Sequence, residues 1–182
     1  MIMTATHAES SVWIPEPGTY VADPAGSSIE FRAKHLFGLG TVAGNFRIAS
    51  GSIQVASPLE RSSVKATIDA SSFSTGNARR DKDVRSARFL DVDRSPTITF
   101  VSTRVGVVDS AWVLEGQVTV RGKTAPVALT ITESQPVDGG LAMVAETRID
   151  RHAHGITSAK GVAGRYLDLT IRLRARATGT GR

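Results

Sequence analysis

The segment SIEFRAKH, Ser28 to His35, places Ile29, Phe31, Ala33 and His35 on one side of an extended chain and Glu30, Arg32 and Lys34 on the other. Alternation of this kind marks a strand with one face in an apolar interior and the other in water. The period recurs in Trp112, Leu114, Gly116, Val118 and Val120, and again in Val127, Leu129 and Ile131. It returns in Leu141, Met143, Ala145, Thr147 and Ile149, and in Leu167, Leu169, Ile171 and Leu173. Shorter candidates surround Tyr20, Phe46 to Val55, Val64 to Ile68 and Ile98 to Val101. Turn chemistry falls between the runs, at DPAGSS, ASGS, SPLE, RGKTAP and PVDGG, so the strands are expected to be mostly antiparallel. About eight strands with one apolar face must curl around that face or stack against a second sheet. The expectation is an all-β barrel or sandwich forming one domain over 16–177, with a flexible leader at 1–15 and a tail at 178–182.

The interval from Ser71 to Pro96 breaks the pattern. Its middle, Ala78 to Arg88, is made of helix-tolerant residues with Asn77 or Thr75 available as a cap. A short helix unwinding into an extended arm is predicted. Asp81 and Arg85 stand four apart, acid first, with Arg80 beside them. These three are expected to form a salt-bridged network that braces the long connection, with a diphosphate grip as the alternative. Phe89 and Leu90 would then tuck into the interior or close one end.

Composition removes several functions. The chain has no cysteine, which excludes disulfides, thiolate metal sites and thiol nucleophiles. A net charge of +5 invites nucleic acid, but the arginines are interleaved with acids and aromatics are only 5% of residues, so no nucleic-acid platform is expected. No segment has the length of a membrane-spanning helix, so stable membrane insertion is not expected. The start, MIMTATHAESSVWIPEPG, lacks a cationic, apolar signal pattern and reads as that of a cytoplasmic protein. No nucleotide or nucleophile motif and no cofactor-binding pattern stands in suitable context, so no cofactor is expected. For an enzyme, the remaining residues of interest are His35, His152 and His154, the last two able to face one side if they lie on a strand.

Four stretches together resemble the YceI-like family of bacterial polyisoprenoid-binding proteins. They are GTYVADPAGSSIEFRAKHLFGLGTVAGNF, RRDKDVRSARFLDVDRSPTITF, GQVTVRGKTAPVAL and IDRHAHGI. In the second, Arg80, Asp81, Arg85, Ser86 and Phe89 fit a signature of the form R-D-x-x-x-R-S-x-x-F. The resemblance implies an extended eight-stranded, lipocalin-like antiparallel β-barrel with one or two short helices in the 71–96 connection. It also implies a non-catalytic role: holding, carrying or storing an isoprenoid chain, of quinone or polyprenyl phosphate type, in the lumen. His154 stands where the family often has an aromatic residue. On this reading Phe31, Ala33, Phe46, Phe89, Phe100, Leu114, Met143, Ala145 and Ile149 line the ligand. Small residues at Ala33, Gly116 and Ala145 would leave it space. His35 and Arg151, polar residues ending inward rows, meet either a ligand head or a backbone carbonyl. A homodimer is left open for the carrier. The rivals are a solid-core structural or stress-related barrel that binds partners through its surface, and a metal-dependent enzyme using His152 and His154.

Overall fold

The computed structural model describes residues 12–179. Nine strands are present: β1 Gly18–Ala22, β2 Ser28–His35, β3 Gly40–Val55, β4 Ser63–Ser74, β5 Thr97–Val108, β6 Ala111–Val120, β7 Lys123–Val137, β8 Gly140–Asp150 and β9 Ala163–Ala177. Consecutive strands from β2 to β9 pair antiparallel, and β9 returns to β2, closing an eight-stave barrel. The short β1 runs in line with β2, pairing with the outer ends of β3 and β9. It is one stave broken at Asp23, whose side chain caps a turn of 3₁₀ helix at Pro24–Gly26. Closure leaves no free sheet edge, the usual weakness of long alternating strands.

Hairpin turns follow the chemistry of their residues. Asp109–Ser110 and Arg121–Gly122 are two-residue turns with positive φ at both positions, the twist-matching kind. ASGS, however, is not a turn. It lies inside β3 as a bulge between Ile48 and Ser50 that keeps a 16-residue strand bending around the barrel. Similar shifts in β5 and β7 change which residues face inward, so Val105 and Ser134 are buried although they break the simple parity.

The barrel has two unlike ends. One carries the 75–96 connection with helix α1 (Ala78–Arg85), the 151–162 connection and the β2–β3 hairpin. The β6–β7 turn at Arg121–Gly122 lies at this end too, while the other end carries the 56–62 loop, the β5–β6 and β7–β8 turns and residues 12–15. Of the expected leader at 1–15, the described part is docked on the barrel: Val12 bridges to Ser134, Trp13 N–H donates to the Ser134 carbonyl at 2.9 Å, and Trp13 packs on the core. Residues 1–11 and 180–182 lie outside the described residues, while Thr178 is tied to the Thr19 carbonyl.

Two glycines are sockets for phenylalanine rings. A Cβ at Gly44 would stand 2.6 Å from Phe31 Cζ, and one at Gly116 would stand 2.5 Å from Phe100 Cε2. The space at Gly116 is therefore filled by Phe100 rather than left for a ligand, which corrects the sequence expectation. Ala145 is enclosed at 3% exposure and lines none of the three interior spaces found among the described residues.

Candidate functional site: a segmented apolar lumen

The inward rows enclose three voids along the barrel axis. The middle one, about 160 Å³, is lined by Phe46, Phe100, Ile149, Leu129 and Leu90 among others, with Arg151 and His154 at its helical end. Toward the opposite end a smaller void of about 70 Å³ lies under Trp13 and Leu59, lined by Leu114 and Met143. At the helical end a cleft of about 270 Å³ is lined by Phe31, Ala33, His35 and Phe89, and reaches the surface at Lys34 and Val162. Arg151 and Leu167 border both this cleft and the middle void. Of the residues expected to line a ligand, all but Ala145 border one of these spaces.

Phe31, Phe46 and Phe73 form a three-ring cluster with centroids 5.3–5.7 Å apart. Phe73 was missed in the sequence because β4 departs from simple alternation near its end, at a bulge opposite Asn45 to Arg47. Ile156 and Leu90 complete the closure from the two long connections, and both are buried.

Arg151 is the lumen's cation. Nε donates to the Gly164 carbonyl at 2.7 Å, Nη1 to Ile156 at 2.6 Å and Nη2 to Ala163 at 2.9 Å. Burial pushes its pKa below the ordinary arginine value, partly opposed by Asp150, yet a guanidinium keeps its charge. It pins the 151–164 connection, and two of its five N–H groups are not used by these bonds. His35 sits over Gly40 at the rim of the cleft, where a Cβ on Gly40 would lie 2.3 Å from its Nε2.

The expected salt-bridged network is corrected. Asp81 is buried, but its carboxylate accepts from Thr75 N–H at 3.0 Å and Thr75 Oγ1 at 2.5 Å. Arg80 Nε donates to the same Thr75 hydroxyl at 2.8 Å, so threonine relays the two charges. Arg85, on the last turn, donates instead to the Phe73 carbonyl, while its Nε has no partner. Placing Asp81 in the first turn of α1 points it back at the strand end, away from Arg85. The connection is further held by Arg121 on the Phe89 carbonyl and Ser158 on that of Arg88.

His152 and His154 are not on a strand. They lie in a 3₁₀ turn, Arg151–His154, and differ in surroundings: His154 is buried with Nδ1 3.0 Å from the Lys123 carbonyl, while His152 Nε2 has no partner. Among the described residues no group of three potential metal ligands forms, and no helix is long and apolar enough to cross a membrane.

A closed antiparallel barrel with an apolar interior, capped by a helical connection, is the architecture of the lipocalin-like binding barrels. The chain belongs to the YceI-like family, whose domain description matches residues 20–177. A UPF0312 protein of Azotobacter vinelandii is 34% identical over 161 residues, covering 84% of this chain and 83% of that one. Another from Serratia proteamaculans is 32% identical over 149 residues, covering 79% and 77%. Among solved structures, Burkholderia cenocepacia BcnA superposes with a TM-score of 0.74 at 18% identity, over 84% of this chain and 98% of that one. A polyisoprenoid binding domain from Saccharophagus degradans, implicated in plant cell wall breakdown, gives 0.64 at 13% identity, over 90% and 100%. Family and architecture together support a binding role.

Proposed function

We propose that the protein is a non-catalytic carrier or store for a polyisoprenoid lipid, of quinone or prenyl phosphate type, working in the cytoplasm. The observation that carries this is the line of voids on the barrel axis, walled by hydrocarbon side chains and reached from the surface at the helical end. The name of the Saccharophagus domain gives the same ligand class.

The tail would supply most of the affinity. At about 0.8 kcal/mol per buried CH₂, one five-carbon unit gains roughly 3–4 kcal/mol before confinement is charged against it. An apolar cavity near 150 Å³ takes a benzene-sized guest, so the 160 Å³ middle void matches roughly one such unit. A longer tail needs the cleft and the far void as well, with the Phe31, Phe46 and Phe73 cluster between cleft and middle void, and the Trp13 side of the barrel, yielding as it enters. The head would stay at the cleft, beside His35 and the unused N–H groups of Arg151.

Extraction of purified protein followed by mass spectrometry tests the reading. A retained long-chain isoprenoid, or its uptake by emptied protein, is expected. Protein that arrives empty and also refuses such lipids leaves the solid barrel as the better account.

A further inference from the structure

The helical end of the barrel ends in a small apolar knob. Phe37 and Leu39 are 81% and 90% exposed, the two highest values for any large apolar residue among the described residues, and Leu36 and Val162 beside them are about half exposed. This knob is fixed in place. Leu36 N–H donates to the Val162 carbonyl at 2.8 Å and Phe37 N–H to Gly161 at 2.7 Å. Both residues sit at positive φ, 50° and 56°, a conformation costly for a side chain with a Cβ and especially unusual for bulky apolar residues. Gly161 lies bare beneath the Phe37 ring, its would-be Cβ 2.6 Å from Cε1. The turn thus holds apolar groups outward at a conformational cost, which points to a use for them.

Charge around the knob is mostly positive. Residues 31–46 and 151–167, which build it, contain no Asp or Glu and carry the exposed Arg32, Lys34 and Lys160. Arg165 is paired with Asp150, and Arg151 is buried on backbone carbonyls, so neither adds to the surface charge. The neighbouring 75–96 connection mixes both signs. At the opposite end the loops carry Glu60, Asp109 and Asp138 against Arg61.

We propose that this knob, Leu36 to Leu39 with Gly161 and Val162, seats the helical end of the barrel on a bilayer surface containing anionic lipid. A convex tip of four apolar side chains is far short of the roughly 800 Å² per partner that a stable protein interface buries. An apolar tip with cations around it suits the headgroup–acyl boundary, where hydrocarbon inserts shallowly and Lys or Arg meets anionic heads. Its position also fits, because the cleft lined by Lys34, His35 and Val162 opens beside it. The purpose, passing a lipid between bilayer and lumen, rests on the carrier reading; the docking itself rests chiefly on Leu36, Phe37 and Leu39, which line none of the three spaces.

The test is co-sedimentation with phosphatidylcholine vesicles, pure or containing phosphatidylglycerol. The protein should partition at least about tenfold better onto the anionic vesicles, with added salt weakening the preference. Phe37→Ser with Leu39→Ser should abolish it, and Lys160→Glu should weaken it severalfold, all with an unchanged thermal midpoint because these side chains are exposed. Phe37→Trp should add a vesicle-dependent blue-shifted emission, since Trp13 and Trp112 line the far void. Equal partition onto both vesicle types, indifference to the tip substitutions, or a tip-dependent dimer in sedimentation velocity would overturn the assignment. Uptake of a polyprenyl lipid from detergent micelles reports on the carrier reading separately. Tip variants should load from micelles like the parent, and their failure to do so would move the tip into the binding site and end the docking proposal.

Discussion

Phe31 and Phe73 stack with centroids 5.3 Å apart and planes 17° from parallel, one ring from β2 and the other from β4. Phe46, which borders the middle void, packs on both rings, and Phe31 and Phe73 border the surface cleft. The stack is therefore a partition between the entrance and the lumen. Replacing Phe73 by Leu removes an aromatic pair worth about 0.5–1.5 kcal/mol beyond area burial. The thermal midpoint should fall by roughly 2–6 °C, while lipid uptake followed by stopped flow becomes faster. An unchanged uptake rate would place the passage elsewhere.

Filling the middle void should separate loading from stability. Leu129 borders that void, and Leu129→Phe puts extra carbon into empty space rather than against neighbours. Stability should hold or rise slightly, and affinity for a long isoprenoid should fall at least about tenfold. Ala33→Trp, in the cleft, should impair loading in the same way. Ala145→Trp is a different experiment. Ala145 is enclosed between Ile131 and Ile171 and lines none of the three spaces, so overpacking should cost about 1–3 kcal/mol and lower the midpoint whether or not lipid binds. Titration with a fluorescent isoprenoid beside thermal melts distinguishes these outcomes, and full affinity in both Leu129→Phe and Ala33→Trp would count against a lumenal site.

The brace under the barrel should answer to threonine as much as to charge. Thr75→Val deletes the hydroxyl shared by Arg80 and Asp81 and leaves a buried carboxylate with a single backbone donor. A cost of about 1–3 kcal/mol is expected, comparable to that of Asp81→Ala. Arg85→Ala frees the Phe73 carbonyl and should also lower the midpoint. In each variant the folded fraction should bind lipid within about twofold of the parent. A stable Arg85→Ala protein that no longer binds would turn this connection from a brace into a ligand grip.

The alternation read in SIEFRAKH carried directly into β2 with its bounds intact, and Trp112 to Val120 into the inward row of β6, because turns at both ends pin the register. What alternation could not reveal are the places where the chain slips by one residue. Bulges in β3, β4, β5 and β7 moved Phe73, Val105 and Ser134 to the inside, and nothing in their local sequence marks the slip. Gly116 shows a second blind spot. A small inward residue reads as space, but only the facing strand tells whether Phe100 has already filled it. The Asp81–Arg85 spacing suggested an ion pair on helical geometry alone; Thr75 and the Phe73 carbonyl, better placed, took the two side chains apart.

Acid should loosen the fold in two stages. Burial, helped by the charges of Arg151 and Arg165, pushes the His152 pKa below its usual 6.5. The unfolded chain then takes up that proton first as pH falls, so the unfolded state holds more protons and stability declines from about pH 6.5 down through the folded pKa. Three carboxylates act lower. Asp69 is held down chiefly by the Ser71 hydroxyl, Asp150 by Arg165 and Asp168 by Arg148, all below 3.8. Their contributions are complete above 3.8 and vanish as pH falls through each depressed value; the groups lie on the outer wall, so each is small. Urea midpoints measured between about pH 7.5 and 3 should show both stages, and His152→Gln should flatten the upper one while leaving the lower in place. A parent protein with no decline between about pH 7 and 5 would mean that His152 accepts its proton in the folded barrel without strain. Its unpartnered Nε2 argues against that outcome.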